Sequence, residues 1–319
     1  MRIGIIDSGI NCTALKNQIQ QKNFTNCPNH YTGDINGHGT MVAKTIENFS
    51  EREIEIISAR IFDQTLAANT KTLISALEFL DTFDLSVIHM SLSVSTNIIH
   101  DQLRNICNKL LKKGIKIVTS YSNKFNTTAL EQVNGVIVVR GQFFRNSSFY
   151  RFNDKLMQGI ADNSPMLVQC GDKWYRFFDG NSKAAALFTS HLIHCYNDNT
   201  QKFDMELLKY HADKKIQEIN TSLKRESDIQ NSKELDEKFY CNANKVDNAL
   251  TEVFKIQDKS ILYKQDWLSA PLLLNAMKAI RIIHLLEDIF LCKFDLKHIY
   301  LEDFYNYEMF KQFVKRNLI

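Results

Sequence analysis

The chain has 319 residues, of which 44% are apolar and 24% are charged, as in an ordinary globular protein. This length favours two domains. The 39 basic and 36 acidic side chains leave a formal net charge of only +3, so we expect neither nucleic acid nor an anionic membrane as a partner. No apolar stretch approaches membrane-spanning length, and no secretory signal precedes the first apolar run.

The cysteines are odd in number and scattered, with no CxxC pair and no zinc-ligand spacing. Free thiols in a reducing compartment are the simplest interpretation of such a pattern. Together with the missing secretory signal, they predict a cytoplasmic protein. The seven residues are Cys12, Cys27, Cys107, Cys170, Cys195, Cys241 and Cys292.

Residues 1–200 alternate short apolar runs with helical patterns, which predicts βαβ units around a parallel sheet. Most of the apolar runs are continuous, as in strands that are covered on both faces. In chain order we predict a strand at Arg2–Asp7, a helix at Gly39–Phe49, a strand at Glu53–Ile61, a helix at Thr70–Phe83, a strand at Leu85–Ser91, a helix at Ile98–Lys113, strands at Ile115–Ser120 and Val136–Arg140, and a helix from near Ser182 through Leu192.

The composition changes after this first domain. Residues 201–232 are polar and charged, which predicts a linker. Residues 233–319 show only helical periodicity, which predicts a small helical bundle. Its predicted helical segments are Asp236–Phe254, Leu272–Phe290, Leu296–Tyr300 and Phe304–Lys315.

Three side chains in the first domain lie at the end of a predicted strand or the start of a predicted helix, where the backbone fixes their orientation. Asp7 ends an apolar strand, and the carboxyl ends of parallel strands form the functional edge of such a sheet. His38 lies between two glycines and directly before a helix. Ser182 begins an Ala-rich helix, whose N-terminus stabilises negative charge. Taken singly, they could be a strand-end cap, a structural histidine and an N-cap serine. The segments that contain them are IGIIDSG (3–9), NGHGTMVA (36–43) and DGNSKAAA (179–186).

These segments, and the order Asp7, His38, Ser182, resemble the motifs of the subtilisin-like serine peptidases. The resemblance implies an α/β fold of three layers with a central parallel sheet. It also implies an endopeptidase in which Ser182 attacks the scissile carbonyl, His38 moves the proton and Asp7 orients His38. No metal or cofactor is needed for this chemistry. Calcium is common in the family, but no dense Asp/Asn loop indicates a site.

A fourth segment, KGIKIVTSYSN (113–123), resembles the family strand that ends at the asparagine donating to the oxyanion, which here is Asn123. A turn residue is the alternative interpretation of Asn123.

The segment SVIHMSLS (86–93) resembles the family strand that pairs with the substrate backbone. It has His89 where asparagine is usual and Ser93 where glycine is usual, and Ser122 likewise replaces a glycine. Because the two glycines line the pocket for the residue before the cut, we expect a preference for a small residue there. The predicted substrate-binding residues are Ser91, Leu92, Ser93, Ser120, Tyr121 and Ser122.

Three further residues depart from the family pattern beside the predicted nucleophile. Asn181 replaces a threonine, Lys183 replaces a methionine and Ala186 replaces a proline. These changes put the efficiency of the site in question, but all four chemical groups of the predicted site are present.

The helical tail, from residue 245 to 315, resembles an acyl- or peptidyl-carrier domain. The segment NAMKAI (275–280) has Asn275 and Ala276 where carriers have Asp and the serine that bears phosphopantetheine, so no such arm is expected. Similar domains without the serine act as docking modules in peptide maturation, and Lys278 and Arg281 would lie on the docking face. A generic bundle with an ordinary solvated face is the alternative.

The leading hypothesis is therefore a cytoplasmic serine endopeptidase that removes the leader of a ribosomal peptide precursor, which the C-terminal domain docks. A general intracellular subtilisin-like protease with a regulatory tail is one alternative. A non-catalytic scaffold that holds a peptide is the other.

Overall fold

The computed structural model describes residues 1–16, 19–25, 33–94, 98–124, 127–212 and 229–318. Of these, the first compact unit takes Met1–Ser164, Gln169–Lys173 and 178–212. The second takes Pro165–Val168, Trp174–Phe177 and 229–318. Cys27, and the part of the predicted linker at 213–228, lie outside the described residues.

The first unit is built on an eight-stranded sheet with neighbours in the order β2-β3-β1-β4-β5-β6-β8-β7. All adjacent strands are parallel except β7 and β8, which are antiparallel. The strands are β1 (Arg2–Asp7), β2 (Ile19–Asn23), β3 (Glu55–Arg60), β4 (Val87–Met90), β5 (Lys116–Ser120), β6 (Val136–Gln142), β7 (Tyr150–Asn153) and β8 (Gln158–Asp162).

The strand order changes direction at β1, because β3 pairs with one side of β1 and β4 with the other. Open parallel sheets bind ligands at such a switch point, outside the carboxyl ends of the strands. The topology therefore marks the crevice where β1 and β4 end.

Four helices of the first unit associate in two pairs, α1 with α4 and α2 with α3. Helices α2 and α3 share an apolar core with β1, β3 and β4, through residues such as Leu77, Leu103 and Ile88. Residues 205–212 are also helical, and short 3-10 turns occur at Cys12–Ala14 and Ala129–Gln132. The paired helices are α1 (His38–Phe49), α2 (Thr70–Leu80), α3 (Asp101–Lys112) and α4 (Gly180–His194).

Helix α4 is buried on nearly all sides, including Asn181 and every residue from Lys183 to Ile193. A helix without an exposed face belongs in the interior of a domain. The three consecutive alanines at 184–186 are small and allow neighbouring elements to pack closely against the helix. Ser182, in the first turn of α4, is therefore held by a buried central helix.

The predicted α/β class with a parallel sheet is confirmed, and each predicted strand and helix of the first unit is present with ends that differ by a few residues. Sequence reasoning missed four short strands outside this sheet, at Met166–Gln169, Tyr175–Phe178, Tyr196–Asn197 and Lys202–Phe203. Within the eight-stranded sheet it missed β2, β7 and β8. These lie near or at the edges of the sheet, where one face or side meets solvent, and their polar sequences (for example IQQKN in β2) lack the apolar run of a central strand.

The second unit contains the helical C-terminal region. Its core combines aliphatic and aromatic side chains, and Trp267, Phe304 and Phe310 are fully buried in it. The predicted third segment, Leu296–Tyr300, contains only a short 3-10 turn at Leu296–His298, and a second 3-10 turn follows it at Leu301–Phe304. The helices are α5 (Ile229–Phe254), α6 (Ser260–Lys264), α7 (Ala276–Phe290) and α8 (Tyr307–Arg316).

Two strands from within residues 1–200 also contribute to the second unit. The strands β9 (Met166–Gln169) and β10 (Tyr175–Phe178) form a two-stranded sheet. Met166 bridges to Tyr300, and the N–H of Leu167 donates to the Ile299 carbonyl at 2.8 Å. The two units are therefore not consecutive in sequence, because the chain enters the second unit before α4 begins. A last pair, β11 (Tyr196–Asn197) and β12 (Lys202–Phe203), is antiparallel and follows α4.

None of the helices in the described ranges combines the length and the apolar character needed to cross a bilayer.

Candidate active site

Asp7 and His38 meet at the carboxyl end of β1. Asp7 is buried, and its Oδ1 atom lies 2.7 Å from His38 Nδ1 and accepts a hydrogen bond from the Ser8 N–H at 2.7 Å. A Cβ atom on Gly39 would lie 2.2 Å from the carbonyl oxygen of Gly9. The glycine after His38 is therefore what allows α1 to approach β1 closely enough for the pair to form.

Asp34 is a second carboxylate at this site, and sequence reasoning missed it. Its Oδ1 accepts from the Ser8 hydroxyl at 2.9 Å and the Gly37 N–H at 2.8 Å. Its Oδ2 accepts from the N–H and the hydroxyl of Thr40, at 2.8 and 2.6 Å. Asp34 thus satisfies donors at the start of α1 and connects them to Asp7 through Ser8. An acidic residue just before a helix start is the signal that could have revealed it.

The carboxylates determine the protonation of His38. Burial by itself lowers the pKa of His38, but the charge and hydrogen bond of Asp7, together with the charge of Asp34, outweigh burial and raise the pKa above 6.5. Both carboxylates thus favour the imidazolium form of His38.

Ser182 lies in the first turn of α4, after a residue with a left-handed backbone. Gly180 has φ = +75°, and a Cβ atom there would lie 3.1 Å from Asn123 Oδ1. The N–H groups in the first turn of a helix have no partner within the helix. Asn181 gives its N–H to Asn123 Oδ1 at 2.9 Å, and the N–H of Ser182 follows it in the same turn.

The bond from Asn181 also orients the side-chain amide of Asn123. Because a backbone N–H can only donate, the atom that it contacts must be the amide oxygen. The Nδ2 group of Asn123 is therefore directed to the other side of the amide. It lies beside the Gly180 Cα, at 3.2 Å from the position that a Cβ atom would take.

The side chain of Asn181 anchors the chain just before Ser182. Its Oδ1 accepts from the Gly141 N–H at 2.7 Å, and its Nδ2 donates to the Tyr121 carbonyl at 3.2 Å. This residue lies where subtilisin-like peptidases have threonine, and its side chain makes two hydrogen bonds to the ends of β5 and β6.

Lys183 anchors the chain just after Ser182. It is fully buried, and its Nζ lies 2.6 Å from Asp162 Oδ2 and 2.6 Å from the Ser164 carbonyl oxygen. The Oδ1 atom of Asp162 accepts from the N–H groups of Phe144 and Arg145, each at 2.9 Å. Buried charges persist where they are paired and hydrogen-bonded. The charge of Lys183, which stands where subtilisin-like peptidases have methionine, is therefore paired with the carboxylate of Asp162.

The predicted substrate-binding residues differ in what they offer a ligand. Ser91 is buried, and its hydroxyl lies 3.3 Å from the carbonyl oxygen of Ser182. Tyr121 is buried too, with its hydroxyl bonded to Glu131 and Gln158 and its own N–H and carbonyl already paired. Tyr121 can therefore shape this region but has no free backbone group for a peptide. Ser120 is buried, and the half-buried residues are Leu92, Ser93 and Ser122.

The contacts thus bring the predicted residues together in two groups, Asp7 with His38 at the end of β1, and Asn123 and Ser91 with the start of α4. Asp7 contacts His38, Asn123 contacts the residue before Ser182, and Ser91 approaches the Ser182 carbonyl. Phe178, four residues before Ser182, packs edge-on against the His38 ring with centroids 5.7 Å apart. This is the crevice that the change in strand order marks.

In the second unit, the residues of the predicted docking face bond within the unit. Lys278 Nζ donates to the Leu272 carbonyl at 2.7 Å, and Arg281 pairs with Glu252. Asn275 caps α7, because its side chain accepts from the Lys278 N–H at 3.0 Å. The asparagine at the carrier aspartate position therefore has a capping role.

Metal-ligating residues do not cluster within the described part of the chain, where no group of three His, Cys, Asp or Glu side chains could hold an ion. The described cysteines, at positions 12, 107, 170, 195, 241 and 292, form no disulfide with one another.

Comparisons with known proteins identify the class of fold. The chain is similar to the crystal structure of a cold adapted subtilisin-like serine proteinase, with a TM-score of 0.53 and 19% sequence identity over 65% of this chain and 79% of that chain. The fold is therefore subtilisin-like. No protein-family model and no curated protein sequence matches this chain.

Proposed function

We propose that this chain is a serine endopeptidase, a hydrolase that cuts peptide bonds with Ser182, His38 and Asp7. The contact between Asp7 and His38, at 2.7 Å on the switch-point edge of a subtilisin-like sheet, is the observation that carries the proposal. A buried carboxylate on Nδ1 leaves Nε2 as the atom that exchanges a proton with the nucleophile.

In the proposed reaction, Ser182 Oγ attacks the scissile carbonyl carbon while His38 takes the hydroxyl proton. The tetrahedral intermediate then collapses, His38 gives its proton to the leaving amine, and an acyl-enzyme forms on Ser182. Water, activated by His38, releases the carboxylate product. Asp7 holds the imidazole in its tautomer and stabilises the imidazolium at each transfer.

The oxyanion of the intermediate would be held by the Nδ2 group of Asn123 and the N–H of Ser182. The bond from the Asn181 N–H fixes the amide oxygen of Asn123 and so presents Nδ2 as the donor. The first turn of α4 adds an unpaired N–H and the positive end of the helix dipole. A donor of this kind contributes about 100- to 1,000-fold to the rate in serine peptidases. No step of this scheme uses a metal or cofactor.

The substrate we propose is a peptide with a small residue before the cut, namely a ribosomal peptide precursor processed in the cytoplasm by leader removal. Ser93 and Ser122 carry side chains where the family has glycine, which narrows the pocket. The helical second unit would dock the precursor. Because Lys278 and Arg281 are already bonded within that unit, docking would use other exposed side chains, such as Leu273 and Met277 near the start of α7.

A fluorophosphonate probe tests the chemistry, because it reacts only with an activated serine. We expect labelling of the full-length protein on Ser182, none in Ser182→Ala, and unchanged labelling in Ser190→Ala, which removes another serine of α4. Labelling that persists in Ser182→Ala would contradict the proposal that Ser182 is the nucleophile. An unlabelled protein that still binds peptides would instead indicate a non-catalytic scaffold.

Product sequencing tests the substrate class. From a mixture of unstructured peptides we expect products that end in small residues, and a shift towards larger residues in Ser93→Gly and Ser122→Gly. Products that end in bulky aromatic residues would rule out the narrowed pocket. Equal turnover of leader-bearing and generic peptides would favour a general intracellular protease with a regulatory tail.

A further inference from the structure

His89 is a fully buried histidine in β4, the strand that pairs with β1, at whose end Asp7 lies. Its Nδ1 lies 2.8 Å from the hydroxyl of Thr189 on α4, and its Nε2 lies 2.7 Å from the hydroxyl of Ser91. Burial is the largest influence on its protonation and lowers its pKa to about 4, against a smaller opposing effect of Asp7. The ring is therefore neutral at pH 7 and carries one proton.

The position of that proton depends on where Thr189 directs its own hydrogen. Thr189 Oγ1 has two acceptors within reach, the Ala185 carbonyl oxygen at 2.9 Å and His89 Nδ1 at 2.8 Å. When the hydrogen goes to the carbonyl, four residues earlier in the same helix, Thr189 can only accept from His89, which places the ring proton on Nδ1. Nε2 is then an acceptor, and the Ser91 hydroxyl must donate to it.

This arrangement also decides what Ser91 does at Ser182. The Ser91 hydroxyl has one hydrogen and two acceptors within reach, His89 Nε2 at 2.7 Å and the Ser182 carbonyl oxygen at 3.3 Å. With the His89 proton on Nδ1, the hydrogen of Ser91 goes to the imidazole. With the proton on Nε2, Ser91 would accept from His89 and donate to the Ser182 carbonyl instead.

We propose that His89 carries its proton on Nδ1 and that Thr189, His89 and Ser91 form a buried relay of neutral hydrogen bonds, which ties α4 to the end of β4. His89 is a positioning residue, since it acts on the nucleophile through α4, the helix that carries Ser182. The relay joins α4 at Thr189 to β4 at His89 and leaves the Ser182 carbonyl without the hydrogen of Ser91. This proposal rests on the proposed peptidase function.

Histidine tautomers in the full-length protein test the relay directly. Long-range ¹H–¹⁵N spectra at pH 7 should show His89 protonated on Nδ1. Thr189→Val keeps the side-chain shape but removes the acceptor, so the proton should move to Nε2. We expect kcat on a cleaved peptide to fall about tenfold or more with KM changed less than about twofold, because a small misplacement of reacting groups slows chemistry.

Thr45→Val is the matched control. Thr45 is also fully buried in a helix and donates to the carbonyl four residues earlier, that of Met41, at 2.8 Å. It has no histidine partner, so both the His89 tautomer and kcat should stay as in the wild type. If Thr189→Val does not fold, Ser91→Ala is tested instead. In this variant we expect His89 to keep its proton on Nδ1 and kcat to be lower than in the wild type.

An Nε2 proton in the wild-type protein would overturn the relay, as would a Thr189→Val enzyme with the kcat of Thr45→Val. These results differ from failure of the proposed function, which would appear as a wild-type protein that fluorophosphonate does not label. The tautomer measurement needs no activity and is informative in either case.

Discussion

At the residue scale, the site depends on side chains that satisfy several partners at once. Asp34 accepts from Ser8, Gly37 and Thr40, and Asn181 joins Gly141 to Tyr121. Asn181 and Lys183, two of the three residues beside Ser182 that differ from the subtilisin-like pattern, therefore lie in hydrogen-bonded positions. A buried polar group that lost such partners would cost about 1–3 kcal/mol.

Asp34→Asn should lower both stability and the pH at which the enzyme becomes active. An amide has only one acceptor oxygen, so the bonds either from Thr40 or from Ser8 and Gly37 are lost, and we expect a loss of about 1–3 kcal/mol in unfolding free energy. The negative charge of Asp34 raises the pKa of His38; without it the pKa falls, and the unprotonated base persists to lower pH. The acidic limb of kcat/KM, which should lie above pH 6.5 in the wild type, should therefore move to lower pH.

The control for this shift is Asp81→Asn. Asp81 pairs with Lys109 and Lys113 and is not among the groups that shift the pKa of His38. Its pH profile should match the wild type. An acidic limb that stays in place in Asp34→Asn would contradict the assignment of Asp34 to His38.

At the scale of elements, the N-terminal turns of two helices position the residues of the candidate site. Helix α1 brings His38 to the end of β1, and α4 brings Ser182 next to Asn123. Sequence periodicity predicted both helices, because their apolar residues recur at helical spacing. It could not show that α1 and α4 pack against each other, since that contact joins residues more than 100 positions apart in the chain.

Gly39→Ala should separate α1 from β1. The added Cβ would meet the Gly9 carbonyl oxygen at 2.2 Å, and a backbone atom cannot move aside without displacing the strand end. We expect a loss of stability of about 3 kcal/mol or more, measured by denaturant unfolding, together with the loss of fluorophosphonate labelling.

Gly114→Ala is the comparison for this prediction. Gly114 has φ = +87° but nothing within 4 Å of an added Cβ, so the cost is backbone strain alone, about 1–2 kcal/mol. Labelling should be retained. If Gly39→Ala were as mild as Gly114→Ala, the close approach of α1 would not be what holds His38 in place.

At the scale of the whole molecule, the chain builds its second unit from two separate regions. Residues 165–168 and 174–177 belong to the helical unit although they lie between β8 and α4. Deleting residues 233–319 would therefore remove the core in which Leu167 is buried. Point substitutions in the full chain are a cleaner test of what the second unit does.

Leu167→Ala should destabilise the second unit by about 2–5 kcal/mol, the usual cost of truncating a buried leucine. Both tryptophans, Trp174 and Trp267, lie in that unit, so denaturant unfolding followed by tryptophan fluorescence reports on it. Leu156→Ala, which truncates an exposed leucine, should change the unfolding free energy by less than about 0.5 kcal/mol. Equal effects of the two substitutions would contradict the assignment of this segment.

The sequence alone determined the α/β class and the central strands, and it predicted the residues of the candidate site other than Asp34, because apolar runs, helical periodicity and short motifs are local. Only the tertiary structure decided the partners: Asp34 at the start of α1, Asp162 against Lys183, Thr189 against His89, and Leu167 within the helical unit. Each of these contacts joins residues that are distant in sequence or differ in element. Neither residue of such a pair carries a local pattern that indicates the other, since packing of the whole chain is what brings them together.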